Sequence, residues 1–466
     1  MTINSQLFVR TDGPRLVVGL DNQPLVLRGI GLGGWMSQEN FITGYAANES
    51  AMKTAVRQTI GPDNAAVFFD RLLEVFFTAE DAKLVAASGL NAIRIPLHYQ
   101  HFEDDTNPFV IKPEGFEVLD RVVQACADQG IYSILEVHSA PGCQNQRWHC
   151  DNPTATAFFW QFSHFQDRLV NLWEAIADHY RDNPWVAGYN LLNEPGDPSR
   201  EVVGPFTKRL AAAVRAADPH HLMLLDGNTY STEFDIFDGF EDANVIFACH
   251  DYAAAGFGDG GRYPGFTRGQ WVDKEQLIAK FLERSAFSRQ TNTPIWVGEF
   301  GPVYKDDPVL DAERRQILED QLEIYRTHQV SWSIWTYKDV GLQGLAYLKP
   351  DSAYMSRFGA FIAKKRRLSA DSWGGDGIGP VDVTEPFQEM MRREFPDFNP
   401  YPWGMWDYTK TLLLNVTIAG AMVQEYADLF RGLSQADLLE LADSFALANC
   451  QVRQPLQAQL LADLAS

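Results

Sequence analysis

The sequence predicts an α/β protein built as a (β/α)8 TIM barrel. Between residues 27 and 337, eight short runs of β-forming, nearly continuous apolar residues recur, as a parallel sheet buried on both faces requires. Segments with apolar residues at three- and four-residue spacing, typical of helices, lie between them. An open, doubly wound sheet is the main alternative, but GLGGW after the first run lacks the G-x-G-x-x-G spacing. The predicted strands are 27–33, 91–97, 132–138, 186–192, 222–227, 245–250, 294–300 and 330–337.

Both ends of the chain extend this barrel. Residues 7–28 contain short β-type runs broken at Asp12-Gly13 and Asp21-Asn22, which predicts an N-terminal β-hairpin flap. From residue 351 onward the pattern changes to helices, with a Gly-rich loop at 372–380. We therefore expect one unit over 1–350, comprising hairpin and barrel, and a helical C-terminal extension over 351–466 that packs on the barrel.

Charge and composition restrict the possible partners. A net charge of -22 disfavours nucleic acid and anionic membrane surfaces, which bind basic faces. The basic run 364–367 is expected to be a solvated helix face, and the apolar stretch 411–423 is too short to cross a bilayer. Residues 1–13 lack a signal-peptide pattern, and the five scattered cysteines, of which Cys143 and Cys150 could pair, suit a reducing compartment. We expect a cytoplasmic protein, and the oligomeric state is left open.

Polar and aromatic residues follow the predicted strands where they end. In a barrel, functional groups sit at the carboxyl ends of the strands, and interior strand positions here are Val, Ile, Leu and Ala. A satisfied core polar group could explain any one of these residues, but not easily the whole ring. The ring consists of Arg94, His138, Asn193 with Glu194, Asp226, His250 with Tyr252, Glu299 and Trp335.

Two carboxylates in this ring, Glu194 and Glu299, follow the fourth and seventh strands and should face each other across the barrel mouth. Paired carboxylates suit glycosidic bond cleavage, because one protonates the leaving oxygen while the other captures the sugar carbon. Arg94 and Tyr252 could hold Glu299 ionised as the nucleophile. Glu194 is then the proton-bearing acid with a raised pKa, and Asn193 could hold the 2-hydroxyl of the sugar. No cofactor or metal is implied.

The ordered motifs LRGIGLGGW, NAIRIPL, EVHSAPGCQN, YNLLNEP, ACHDY, WVGEFG and SIWTY resemble glycoside hydrolase family 5 over about residues 25–345. The resemblance implies that Glu194 is the acid/base and Glu299 the nucleophile. It also implies substrate-binding roles for Arg94, His138, Asn193, His250, Tyr252 and Trp335. The segments at 33–43 and 137–145 are similar to the exo-β-1,3-glucanase branch, in which Glu39 would grip the terminal sugar. Gly31, GEFG at 298–301 and the segment 337–345 depart from that branch.

These observations predict a retaining, exo-acting β-glycosidase whose substrates are β-glucosides or short β-glucan oligosaccharides. Other sugars, such as a mannoside, a galactoside or a glycolipid, are the alternative within the same chemistry. A metal-dependent barrel hydrolase using His138, His250 and Asp226 is a rival from another class. A carbohydrate-binding barrel without catalysis is the second rival, because fold alone does not guarantee chemistry.

Overall fold

The computed structural model describes residues 7–371, 373–375 and 379–465. Its centre is a closed barrel of eight parallel strands, in which the last strand pairs with both the seventh and the first. Each strand falls inside a predicted run or within one residue of it, so the predicted TIM barrel is confirmed. The barrel strands are Arg28–Gly31, Ala92–His98, Tyr132–Ser139, Val186–Asn190, Leu222–Asp226, Val245–His250, Ile295–Glu299 and Ser331–Ile334.

The N-terminal residues form a small antiparallel sheet at the opposite end of the barrel from the strand ends that carry the ring. Its strands are Arg10–Asp12, Arg15–Val18 and Gln23–Leu25. Val9, Leu16 and Leu27 pack with apolar side chains of the lower barrel interior, including Ile246 and Trp296. The predicted hairpin flap is therefore a plug that keeps water out of the barrel floor. Residues 1–6, on which part of the signal-peptide prediction rests, lie outside the described residues.

Helices surround the barrel, and the longer ones are amphipathic and each bury an apolar stripe. The long connection after the first strand holds four helices, and the other connections hold one or two each. These helices are Asn40–Thr43, Glu49–Ile60, Pro62–Val75, Ala79–Ala87, Glu114–Ala127, Ser163–Tyr180, Val203–Ala217, Asn228–Ser231, Lys274–Arg284, Ala286–Thr291 and Pro308–Thr327.

After the eighth strand the chain builds a second helical layer before it returns to the barrel. The helix Gln435–Asp443 packs on Pro62–Val75, and Ala419–Asp428 packs on Glu49–Ile60. The last helix lies between Pro308–Thr327 and the end of Ala79–Ala87, where Leu464 contacts Gly89, so it completes the outer ring. The division at residue 350 stays a prediction. The helices are Ala353–Arg367, Val381–Glu394, Gly404–Lys410, the π-helical Thr411–Ile418, Ala419–Asp428, Gln435–Asp443 and Gln454–Ala465.

Three short strands tie this layer to the barrel mouth. Lys338–Asp339, Ala346–Leu348 and Cys450–Val452 form one mixed sheet. Within the described part of the chain, no helix combines the length and apolar character needed to cross a membrane. All five cysteines, Cys143 and Cys150 included, are free thiols. Of the predicted Gly-rich loop 372–380, residues 372 and 376–378 lie outside the described residues.

The basic run 364–367 is not a uniformly solvated face, so this expectation is wrong at one position. Lys365 is 1% exposed, and its Nζ lies 3.0 Å from Asp371 and donates to the carbonyls of Asn40 at 2.5 Å and Tyr45 at 2.8 Å. Burial lowers the pKa of Lys365, although Asp371 opposes this shift. The lysine is buried because it joins the second helical layer to the loop after the first barrel strand.

Candidate active site

The predicted site residues meet at the carboxyl end of the barrel. Each lies on a barrel strand or within a few residues of its end, except Glu39, which precedes the helix Asn40–Thr43 in the first loop. All are buried except Tyr252, which is half-buried. The nine side chains are those of Glu39, Arg94, His138, Asn193, Glu194, His250, Tyr252, Glu299 and Trp335.

Glu299 is held by the two donors that the sequence indicated. Arg94 Nη1 donates to its Oε1 at 2.6 Å, and the Tyr252 hydroxyl donates to its Oε2 at 2.9 Å. Burial by itself raises the pKa of Glu299, but the positive charges of His250 and Arg94 outweigh burial and lower this pKa. Glu299 is therefore an ionised carboxylate with fixed orientation, as a nucleophile requires.

Glu194 lies between two histidines. Its Oε1 is 2.6 Å from His250 Nδ1, and its Oε2 is 2.9 Å from His149 Nε2. Burial raises the pKa of Glu194, yet the charge of His250 and the hydrogen bonds from both histidines hold it well below the ordinary carboxyl range. The prediction of a raised pKa is thus wrong for the free protein. From the sequence, burial and a nearby carboxylate are expected to raise this pKa, but the two histidines lower it by more.

The backbone at Glu194 is in the left-handed region, with φ of 45°, a conformation that costs a non-glycine residue about 1–3 kcal/mol. Asp226 stabilises it: its Oδ2 accepts the Glu194 backbone N–H at 2.9 Å and the Ser231 hydroxyl at 2.7 Å. Asp226 also accepts from Asn190 Nδ2 at 2.7 Å. This aspartate therefore shapes the turn that aims Glu194 into the barrel mouth.

The two carboxylates are close neighbours. One oxygen of Glu194, one oxygen of Glu299 and a ring nitrogen of His250 all lie within 4.8 Å of one another. Carboxyl groups about 5–5.5 Å apart fit a double displacement, whereas inverting enzymes place them about 6.5–9.5 Å apart. Among the described residues, a group of three or more His, Cys, Asp or Glu side chains within this distance of one another is found at this triplet. The rival metal set would need His138 and Asp226, which are not in it.

Arg94 organises the floor of the site. It is fully buried, donates to Asn193 Oδ1 at 2.7 Å and to Asn190 Oδ1 at 3.2 Å, and lies 3.2 Å from Glu136 Oε2. Arg94 fixes the oxygen of the Asn193 amide, and the buried Nδ2 of the same amide has no hydrogen-bond partner. A buried donor without a partner is costly, so Nδ2 is positioned to bind a ligand oxygen.

The remaining predicted residues form the wall beside Glu39. His138 Nδ1 lies 2.8 Å from Glu136 Oε1, and His138 Nε2 lies 3.5 Å from Glu39 Oε1. The indole of Trp335 stacks on the His138 ring with centroids 5.7 Å apart and an interplanar angle of 3°. Burial raises the pKa of Glu39, and the contact with His138 only partly opposes this. The wall thus combines a flat apolar face with polar oxygens, which suits a pyranose ring.

Comparison with known proteins identifies the family. The sequence model described as Cellulase (glycosyl hydrolase family 5) matches residues 68–341. The chain is 41% identical to a β-xylosidase of Phanerodontia chrysosporium over 98% of both chains. It is 25% identical to a probable glucan 1,3-β-glucosidase A of Neosartorya fischeri over 68% of this chain and 84% of that one.

The chain belongs to glycoside hydrolase family 5.

Its fold is also that of endoglucanase Cel5A from Thermotoga maritima, with a TM-score of 0.50 and 19% identity over 68% of this chain and 91% of that structure. Membership in glycoside hydrolase family 5 establishes a glycosidase acting on β-linked sugars. It removes the reason to prefer a binding barrel without catalysis.

Gly31, one departure from the exo-β-1,3-glucanase branch of family 5, and Gly33 both lie directly against the Trp335 indole. A Cβ added at Gly31 would lie 2.3 Å from the Trp335 ring, and one added at Gly33 would lie 2.5 Å from it. Any larger residue at position 31 would displace the indole. The segment 337–345, which also departs from that branch, is folded around Asp339. The Asp339 carboxylate accepts hydrogen bonds from the backbone N–H groups of residues 341–344.

Two residues of the site were missed from the sequence. Glu136 contacts both Arg94 and His138, and its signal is a charged residue inside an otherwise apolar strand run. His149 contacts Glu194 but lies in the long loop after the third strand. The predicted site residues are those that follow a strand end, and a histidine within a loop has no such feature. Asp226, which the sequence placed in the ring of strand-end residues without a role in the glycosidase, contacts the Glu194 backbone.

Proposed function

We propose that this family 5 enzyme is an exo-acting, retaining β-glycosidase that uses Glu299 as nucleophile and Glu194 as acid/base. The single observation that carries the proposal is the approach of the two carboxylates, with oxygens within 4.8 Å. Glu299 is ionised and oriented by Arg94 and Tyr252. Glu194 has the partners needed to exchange a proton.

In the first step, a Glu299 oxygen bonds to the anomeric carbon while the glycosidic C–O bond breaks. Glu194 takes a proton from protonated His149 or His250 and passes it to the leaving oxygen, so that the histidine is left neutral. The negative charge of Glu299 is consumed in the ester, and Glu194 is left as a carboxylate. As positive charge develops on the sugar, the free Nδ2 of Asn193 binds the 2-hydroxyl.

In the second step, Glu194 removes a proton from water, the water oxygen bonds to the anomeric carbon and Glu299 departs as a carboxylate. Two inversions at one carbon restore the original β-configuration. The histidines beside Glu194 provide a reservoir for the proton that it gains and gives up in each turnover. No metal or cofactor is needed for any of these transfers.

The substrate class is a short β-linked oligosaccharide or glycoside, attacked at its terminal sugar. Deep burial supports exo action: Glu194 is 9%, Glu299 6% and Glu39 5% exposed, so a single sugar fits between them better than the middle of a polymer. Similarity to the β-xylosidase over 98% of the chain favours xylosides. Similarity to the glucan 1,3-β-glucosidase supports glucosides as the second candidate.

A panel of aryl β-glycosides tests this proposal. Wild-type enzyme is expected to release the aryl group from the xyloside or the glucoside, and Glu299→Ala and Glu194→Ala should each lose turnover on it. Azide added to Glu299→Ala should yield the inverted α-glycosyl azide, because it attacks directly. Wild-type turnover by Glu299→Ala on any of these glycosides, wild-type turnover by Glu194→Ala on an unactivated phenyl glycoside, or a β-azide from Glu299→Ala would refute the assigned roles.

A further inference from the structure

An aromatic wall lines one side of the barrel mouth, and one of its members comes from the C-terminal layer. Trp373 packs against Tyr252 with ring centroids 4.8 Å apart, and stacks on Phe41 at 5.5 Å. Phe41 in turn contacts Trp148 at 6.0 Å. Three of these rings come from loops after the first, third and sixth barrel strands. Trp373 lies beyond residue 341, where the match to the family 5 sequence model ends.

Trp373 is held in this position by buried polar contacts. Its backbone N–H donates to Asp371 Oδ1 at 3.2 Å, and its indole Nε1 donates to Gln343 Oε1. Asp371 is paired with the buried Lys365, which binds the carbonyls of Asn40 and Tyr45. The C-terminal layer is thereby fixed to the short helix that directly follows Glu39. Lys365 and Asp371 thus hold the backbone of Trp373, and Gln343 holds its indole.

The contacts of Trp373 place it on one particular side of the sugar. It touches Tyr252, which donates to Glu299, and Phe41, which follows Glu39 by two residues. The partners of Glu194, where the leaving group departs, are different residues: His149 and His250. Because Phe41 adjoins Glu39, the residue that the family resemblance assigns to the terminal sugar, Trp373 lies on the Glu39 side of the barrel mouth.

We infer that Trp373 is a specificity-determining residue that blocks the position of a second sugar at the non-reducing end and so restricts the enzyme to terminal residues. This inference rests on the proposed exo-glycosidase function and names the side chain that imposes it. The family 5 barrel supplies the chemistry, and the C-terminal layer converts an open cleft into a pocket. The indole is half-buried, so part of its surface is not covered by the protein.

The test compares two aryl β-glycosides, one carrying a single sugar and one carrying the matching β-linked disaccharide. Release of intact disaccharide is followed by chromatography, because it requires the blocked position. Wild type should hydrolyse the monosaccharide substrate and release intact disaccharide poorly. In Trp373→Ala the ratio of kcat/KM for disaccharide over monosaccharide release should rise at least about tenfold, as a change of pocket size can produce.

Trp406→Ala is the matched control, since this tryptophan belongs to the same C-terminal layer and is 48% exposed. Its ratio should stay at the wild-type value. If Trp373→Ala unfolds at a lower temperature than wild type, Trp373→Phe is measured instead and should show a smaller rise. A wild-type ratio in a stably folded Trp373 variant overturns the inference. Ready release of intact disaccharide by the wild type would instead refute the proposed exo action.

Discussion

Glu194→Ala tests how much of the first bond cleavage depends on proton donation. Proton transfer by a positioned acid contributes about 10²–10⁴-fold, which is about 3–5 kcal/mol of the activation barrier. The leaving oxygen needs this proton only when it is a poor leaving group. The Glu194 carboxylate lies 2.9 Å from His149 and 2.6 Å from His250. Without it, protons from these histidines have no oxygen through which to reach the leaving group.

The assay measures kcat/KM on two β-glycosides of the same sugar, one with a dinitrophenyl and one with a methyl leaving group. We expect Glu194→Ala to lose about 10²–10⁴-fold on the methyl glycoside and less than about tenfold on the dinitrophenyl glycoside. Glu194→Gln serves as the isosteric control and should behave alike. Equal losses on both substrates would show that Glu194 does not donate the proton.

Two further predictions concern stability. His149→Gln should lower the unfolding temperature most between about pH 4.5 and 6.5. Because folding lowers the pKa of Glu194, this group stabilises the fold at pH values above 4.5, the ordinary pKa of a glutamate. Because folding raises the pKa of His149, this group stabilises the fold at pH values below 6.5, the ordinary pKa of a histidine. An equal lowering of the unfolding temperature at about pH 9 would contradict this coupling between Glu194 and His149. Lys365→Met should cost about 3–5 kcal/mol of unfolding free energy in urea, because it leaves a buried carboxylate unpaired. Lys364→Met, which breaks only an exposed pair with Glu425, should cost less than about 1 kcal/mol, and equal costs would contradict the buried role.

The barrel was predictable because each of its strands is buried on both faces and therefore forms a continuous apolar run. Strand ends then gave the position of most of the site, since parallel strands deliver their carboxyl ends to one mouth. Arg94 and Tyr252 were correctly paired with Glu299 because opposite charge and hydrogen-bond donors near a carboxylate are inferable once the strands are aligned. This step needs no knowledge of the loops.

Contacts made by loops and by the C-terminal layer could not be predicted in the same way. His149 reaches Glu194 through a loop whose path no periodicity encodes, and together with the charge of His250 its hydrogen bond reverses the expected pKa shift of that carboxylate. Lys365 sits in a basic run that resembles a surface face, and only the three-dimensional packing reveals its buried partners. Trp373 lies far from the barrel in sequence. Each depends on long-range packing rather than on local pattern.

The central claim is that one carboxylate forms a covalent bond to the sugar. An activated 2-deoxy-2-fluoro β-glycoside of the preferred sugar should inactivate the enzyme by trapping this ester, since the fluorine slows the second step more than the activated first step. Mass spectrometry of the digested protein is expected to place the label on Glu299. A label on any other residue, or turnover giving the α-anomer as first product, would contradict the account.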